Sequence, residues 1–259
     1  MKRSLFGLAV LVALATGCFE SSDQPTRVLV DGTALPDRAA AAADAQAGTA
    51  APIPFTPVPV VSDLDPNELR GFTFPIEGSC LPSRDEVMPN AARPYWSGTN
   101  QGVDFYHGDV CTPVDRGLPV LAMFAGGVIR ADHDYDEITE IEANADSARA
   151  EVQGFTDEAA LDAFRGRQIW IDHGNGVVSR YASLDSIEPS IAVGVGVRAG
   201  DVIGGVGESG TVEATTAPDT QIHLHIEVRV EDGFLGEQLA TDEARRLYQR
   251  LFTPVANGG

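Results

Sequence analysis

Two histidines one residue apart, in Gln221-Ile222-His223-Leu224-His225-Ile226-Glu227-Val228, are the side chains in this sequence best suited to chemistry. On a strand, side chains alternate between faces. Ile222, Leu224, Ile226 and Val228 would then turn toward a core, and His223 and His225 would share the opposite face. Two imidazoles so placed can hold a metal together, or one can bind the metal while its neighbour moves a proton. Two ordinary surface histidines on a half-buried strand would give the same short pattern. A second segment, Gly102-Val103-Asp104-Phe105, turns Asp104 away from Val103 and Phe105. An aspartate between core residues serves as a metal ligand or as a turn cap.

Other segments follow these in a definite order. After Gly102-Val103-Asp104-Phe105 come Thr112-Pro113-Val114, Leu118-Pro119-Val120-Leu121-Ala122 and Gly126-Gly127-Val128-Ile129. Next are Ile171-Asp172-His173-Gly174-Asn175-Gly176-Val177-Val178, Arg180-Tyr181-Ala182-Ser183-Leu184, and the glycine-punctuated run from Val195 to Gly204. Ser209-Gly210-Thr211 and His223-Leu224-His225 close the series. In this order the segments resemble the lysostaphin/LytM-type zinc peptidoglycan endopeptidases over residues 71–252. The resemblance implies a small antiparallel β domain with an open groove, one zinc at the groove floor, and hydrolysis of peptide cross-links in peptidoglycan. It also implies roles. Asp104 and His225 stand where two zinc ligands stand, and His223 stands where a catalytic histidine stands.

Two positions depart from that pattern. The histidine of the family's His-x-x-x-Asp motif is here Asn100, and the histidine of its Tyr-x-His-Leu segment is here Ser183. A catalytic zinc site keeps three protein ligands and an open position for water. An amide oxygen is a poor replacement for imidazole on zinc, and a hydroxyl does not take up a proton at neutral pH. Zinc is therefore expected to be weakly held or absent. His107, three residues past Asp104, would face the opposite way on a strand. His133 and His173 are expected at the surface. The leading functional expectation is a non-catalytic domain that binds peptidoglycan or regulates a cell-wall amidase or other hydrolase. The second is an active zinc endopeptidase with a non-standard metal site, and the third a purely structural envelope protein.

Short β-type runs separated by Gly, Pro and Asp must position these residues, which predicts a mainly β fold, an antiparallel sandwich or open barrel. Residues 167–172 and 177–182 read as a hairpin across an Asn-Gly turn. Two helical pieces are expected: an acidic insertion over 136–165, and a C-terminal helix near 242–252 lined by Ala244, Leu247, Tyr248 and Leu251. The insertion reads as an exposed arm, with covering of the groove as the alternative.

The ends speak of export. Lys2 and Arg3 precede an apolar stretch over 5–15, too short to span a bilayer, and Ala15-Thr16-Gly17-Cys18 looks like a lipoprotein cleavage site. Residues 1–17 are thus expected to be a signal peptide, with Cys18 carrying lipid and anchoring the chain to a bacterial membrane, facing the periplasm or cell surface. Residues 18–70, rich in Ala and Pro, read as a disordered tether, which for about 50 residues reaches on the order of 40 Å. Residues 71–259 would form the folded domain. In an oxidising compartment the remaining Cys80 and Cys111 read as a disulfide. With 18 basic against 38 acidic residues and a formal charge of -20, the chain would be repelled by nucleic acid and by anionic lipid surfaces.

Overall fold

The computed structural model describes residues 64–254 and, ahead of them, the backbone of 53–54. The longest strand, β12 (His223–Val230), organises the main sheet. Leu224, Ile226 and Val228 are fully buried on one face, as their alternation requires. On one side β12 pairs with β8 (Val177–Ala182). On the other, its first half pairs with β4 (Val103–Tyr106) and its end with β13 (Gly233–Phe234). From β8 the sheet runs through β7 (Ile169–Asp172), β6 (Gly126–Ala131) and β10 (Val195–Val197) to β1 (Ile53–Pro54). A three-stranded sheet has the order β5 (Pro119–Leu121), β11 (Val202–Val206), β9 (Leu184–Ile187), and β2 (Ala92–Arg93) and β3 (Gly98–Thr99) form a small hairpin. Among the described residues all pairings are antiparallel and the main sheet does not close into a barrel, so the mainly β, open architecture expected from the sequence is the one observed.

One apolar cluster joins the two sheets. Val103, Phe105, Val120, Met123, Ile171 and Ile203 meet there with Leu224 and Ile226. Gly102 lets β4 lie close to β12, because a Cβ at that position would sit 1.9 Å from the Ile226 carbonyl oxygen. In the β7–β8 turn, Asn175 and Gly176 both take positive φ, 52° and 69°, the conformation that Asn-Gly favours. His173 corrects an expectation. It is buried rather than surface, with Nδ1 2.8 Å from the Ala125 carbonyl and Nε2 2.8 Å from Ser179 Oγ. Phe72 and Phe124 meet its ring edge-on. A histidine next to a tight turn stays inside because both nitrogens are satisfied there.

The helical insertion lies between β6 and β7. Helix α1 (Glu140–Gln153) opens with a Thr139–Glu142 capping box and ends at left-handed Gly154. Helix α2 (Glu158–Arg165) is capped by Asp157, whose side chain accepts from the Ala160 N–H. A single turn, α3 (Glu213–Thr216), precedes β12, and α4 (Thr241–Leu251) closes the chain with Ala244, Leu247, Tyr248 and Leu251 buried, the face read from the sequence. The Cys80–Cys111 disulfide is present, with Cα atoms 5.5 Å apart.

The fold reaches further upstream than residue 71. Asp65 caps a 3-10 turn over Pro66–Glu68, Leu69 is buried in the core, and Ile53–Pro54 adds a strand beside β10. The end of the segment read as a tether thus belongs to the domain, anchored by one leucine and a proline turn too short to show a period. The segment expected to be a signal peptide, the expected lipid site Cys18 and the rest of residues 18–63 lie outside the described residues. Among the described residues, no helix is long and apolar enough to cross a membrane.

Candidate metal centre and groove

The register of three strands assembles the centre. His225 lies opposite Asp104 of β4 on one side and Ala182 of β8 on the other, and His223 lies opposite Tyr106. Ser183 follows β8 in the left-handed region at φ 58°, a conformation that turns its hydroxyl toward His223. Asn100 lies just before β4, buried, and its backbone is held by hydrogen bonds with Ala91 and Asn90. The fold therefore brings Asn100, Asp104, Ser183, His223 and His225 to one place. His107 is exposed and interacts instead with Val114 and Asp115. His133 is exposed with Nε2 2.6 Å from the Ile191 carbonyl.

Hydrogen bonds show what these groups present. Asp104 Oδ1 is 2.6 Å from His225 Nδ1, and His225 Nε2 is 3.3 Å from Glu227 Oε1. Burial alone would lower the His225 pKa, but its bonds and charge contacts with Asp104 and Glu227 outweigh this and raise it to about 9. His225 is thus an imidazolium that donates from both nitrogens to two carboxylates. Asp104 Oδ2 accepts from the Arg93 guanidinium at 2.6 Å and from the Asn100 amide at 3.1 Å. Burial would raise the Asp104 carboxyl, yet its bond to His225 and the nearby positive charges hold it below the usual carboxylate range. The amide oxygen of Asn100 is turned away, accepting from the Gly102 N–H at 3.3 Å.

His223 has the opposite character. Burial lowers its pKa and it stays neutral. Its Nδ1 donates to the Gln221 carbonyl at 2.6 Å, leaving the Nε2 lone pair to accept from the Ser183 hydroxyl at 3.3 Å. Its ring stacks on Tyr106 at 4.7 Å.

Glu227, the third residue on the groove face of β12, carries a charge network absent from the sequence reading. Its carboxylate lies 2.6 Å from Arg165, 3.3 Å from Arg180 and 3.4 Å from Arg229. Burial would raise its pKa, and the Arg165 and Arg180 guanidinium groups with His225 push it far down. The alternation that singled out His223 and His225 also places Glu227, so one signal for it lay in the sequence. Nothing local marks Arg93, whose role arises from contact between the β2–β3 hairpin and β4.

Above this floor runs a groove of about 800 Å³. Tyr95 and Trp96 of the hairpin form one wall, Asn144 and Phe164 of the insertion another, and Val212 and Gln221 the approach to β12. The insertion is therefore not the free arm expected. Leu161 is buried, the Phe164 ring lies 5.6 Å from Trp96, the Thr156 hydroxyl bonds the Trp96 carbonyl, and Arg165 reaches Glu227. Its helical spacing was visible in the sequence, whereas its apolar edge is only a few residues wide.

The side chains that would face a metal are engaged with one another. A ligating imidazole must offer a lone pair, and both nitrogens of His225 face carboxylate oxygens here. The third position offers an amide N–H, and a guanidinium sits on the free side of Asp104. Among the described residues, no three His, Cys, Asp or Glu side chains converge as a metal site.

The sequence matches Peptidase family M23 over residues 99–237, just over half the chain. No curated protein matches significantly. Among solved structures, a zinc-containing peptidase from Vibrio cholerae is similar at 21% identity and TM-score 0.40, covering 64% of this chain and 39% of its own. A putative M23 peptidase from Pseudomonas aeruginosa is similar at 19% identity and TM-score 0.39, covering 75% of this chain and 56% of its own. The catalytic domain of lysostaphin from Staphylococcus simulans is similar at 19% identity and TM-score 0.32, covering 64% of this chain and 78% of its own. The chain thus spans less than two thirds of the first two. With the family's segments in order on an open antiparallel β fold, and the sequence match extending from the residue before Asn100 to beyond β12, the chain belongs to peptidase family M23.

Proposed function

We propose that this chain is a non-hydrolytic M23 protein of the bacterial envelope, exported and held by lipid on Cys18, whose groove binds peptidoglycan peptide or docks a cell-wall hydrolase. One observation carries the reading. Both nitrogens of His225 lie within hydrogen-bond distance of carboxylates, Asp104 at 2.6 Å and Glu227 at 3.3 Å, so the residue that would ligate a catalytic metal sits instead between two acids. Ser183 in place of the second catalytic histidine supports it, since a hydroxyl beside neutral His223 leaves one imidazole for proton transfer. The groove itself is retained, walled by aromatic and amide side chains suited to an extended peptide.

The purified chain should contain far less than one zinc per molecule after incubation with the metal, leave isolated sacculi uncut, and sediment with them. The active zinc endopeptidase is the competing reading, favoured by the neutral His223 that remains. Equimolar zinc, together with release of muropeptide fragments that stops in His225→Ala, would establish that reading and end the one advanced here.

A further inference from the structure

We infer that Arg93 is the resident cation of this centre: its guanidinium takes the face of Asp104 that a metal ion would need, so the chain carries in its own β2–β3 hairpin the positive charge that a metal supplies elsewhere. The inference rests on the non-hydrolytic reading and goes beyond it, because it names what excludes the metal and predicts how to restore a site.

The geometry is specific. Arg93 is the last residue of β2, and the following 3-10 turn over Pro94–Trp96 ends at left-handed Ser97, which folds β3 back along it. Held so, the side chain spans from the Glu86 carbonyl, 2.7 Å from Nη1, to Asp104 Oδ2, 2.6 Å from Nη2. Only 12% of the Arg93 side chain and 7% of the Asp104 side chain are exposed. A buried carboxylate requires a counter-charge, and a planar guanidinium that bonds two fixed acceptors is a rigid one. With Arg93 and the Asn100 amide on Oδ2 and His225 on Oδ1, the carboxylate is saturated by donors. A divalent ion approaching Asp104 meets a positive charge already in contact with it. The replacement of a ligand at position 100 and the pairing of His225 with two carboxylates are then two obstacles, and the guanidinium is a third.

Obstacles at both position 93 and position 100 predict that repairing position 100 alone is not enough. The purified full chain is titrated with zinc against a fluorescent chelator in three variants: Asn100→His, Asn100→His with Arg93→Met, and Asn100→His with Arg93→Lys. Methionine keeps the length of the stem and removes the charge, and lysine keeps the charge. The single variant has its third ligand restored and should still bind zinc weakly. The Arg93→Met combination should bind about 100-fold more tightly, the scale on which ligand-environment changes act. The Arg93→Lys combination should stay with the single variant. Methylguanidinium, added to the Arg93→Met combination, should compete with zinc. Equal zinc affinity in all three variants would overturn the inference. So would tight binding by Asn100→His alone, a measurement that does not depend on any Arg93 variant folding. Sacculus cleavage by the unmodified chain would overturn the non-hydrolytic reading instead, and it is read on a different protein by a different assay.

Discussion

His225 links the acid and base chemistry of the centre to the stability of the fold. Its folded pKa is raised to about 9 from an ordinary value of 6.5, so the stability it contributes is complete below about pH 6.5 and is lost as pH rises through 9. Asp104 and Glu227 are depressed, so their contributions are present above the ordinary carboxylate range and are lost as pH falls below it. His173 acts in the same direction on the acid side: burial lowers it to about 4, so the unfolded chain binds a proton first and stability falls between about pH 6.5 and 4. The melting temperature should therefore peak near pH 6.5, and His225→Gln should flatten the alkaline limb. A limb unchanged in that variant would show that His225 is not the group responsible. Removing the carboxylate of Glu227 should be more damaging than any single histidine change. Glu227→Ala leaves Arg165, Arg180 and Arg229 crowded without their shared counter-ion, at about 3–5 kcal/mol by urea denaturation.

At the scale of elements, the pairing of β4 with β12 sets the centre, and Gly102 is the residue that permits it. Gly102→Ala should push the strands apart and destabilise by about 1–3 kcal/mol, the range for overpacking a close contact. A melting temperature equal to the parent's would mean the strands separate freely. The disulfide ties the segment before the β2–β3 hairpin to the loop after β4 across a sequence separation of 31. Replacing both cysteines by serine should lower stability by about 3–4 kcal/mol in the chain-entropy account, measured without reductant in both proteins. The insertion joins the domain through Arg165 and Phe164, so deleting residues 136–165 should destabilise the domain as well as remove a groove wall. The helices were legible because caps and spacing are local. Their docking was not, because it depends on Trp96 and Glu227, which lie far away in sequence.

For the whole molecule, charge and attachment set the setting in which the groove would work. In a chain of formal charge -20 the groove lining mixes both signs, with Arg84, Arg93 and Arg165 set among Glu86, Asp104, Glu213 and Glu227. A net charge of this size opposes self-association. If Cys18 carries lipid, Cys18→Ala should move the chain from the detergent phase to the aqueous phase in Triton X-114 partitioning. Persistence in the detergent phase would remove the anchor from the proposed function.

The sequence by itself determined the family, the β texture, the Asn-Gly hairpin, the buried face of α4 and the residue types at the centre. Each of these follows from local periodicity, turn chemistry or motif order. It also determined that residues 100 and 183 are not histidines. Tertiary structure alone decided what those residues present. Asn100 could have offered an oxygen and offers an N–H to Asp104, and His225 could have faced an open position and lies between two carboxylates. Hydrogen-bond direction and charge pairing depend on partners brought in from β2, β4 and α2, which no spacing within the His-x-His segment encodes. Arg93 lies 11 residues before Asp104 in the chain yet reaches its carboxylate across a strand turn, and that contact fixes the character of the centre.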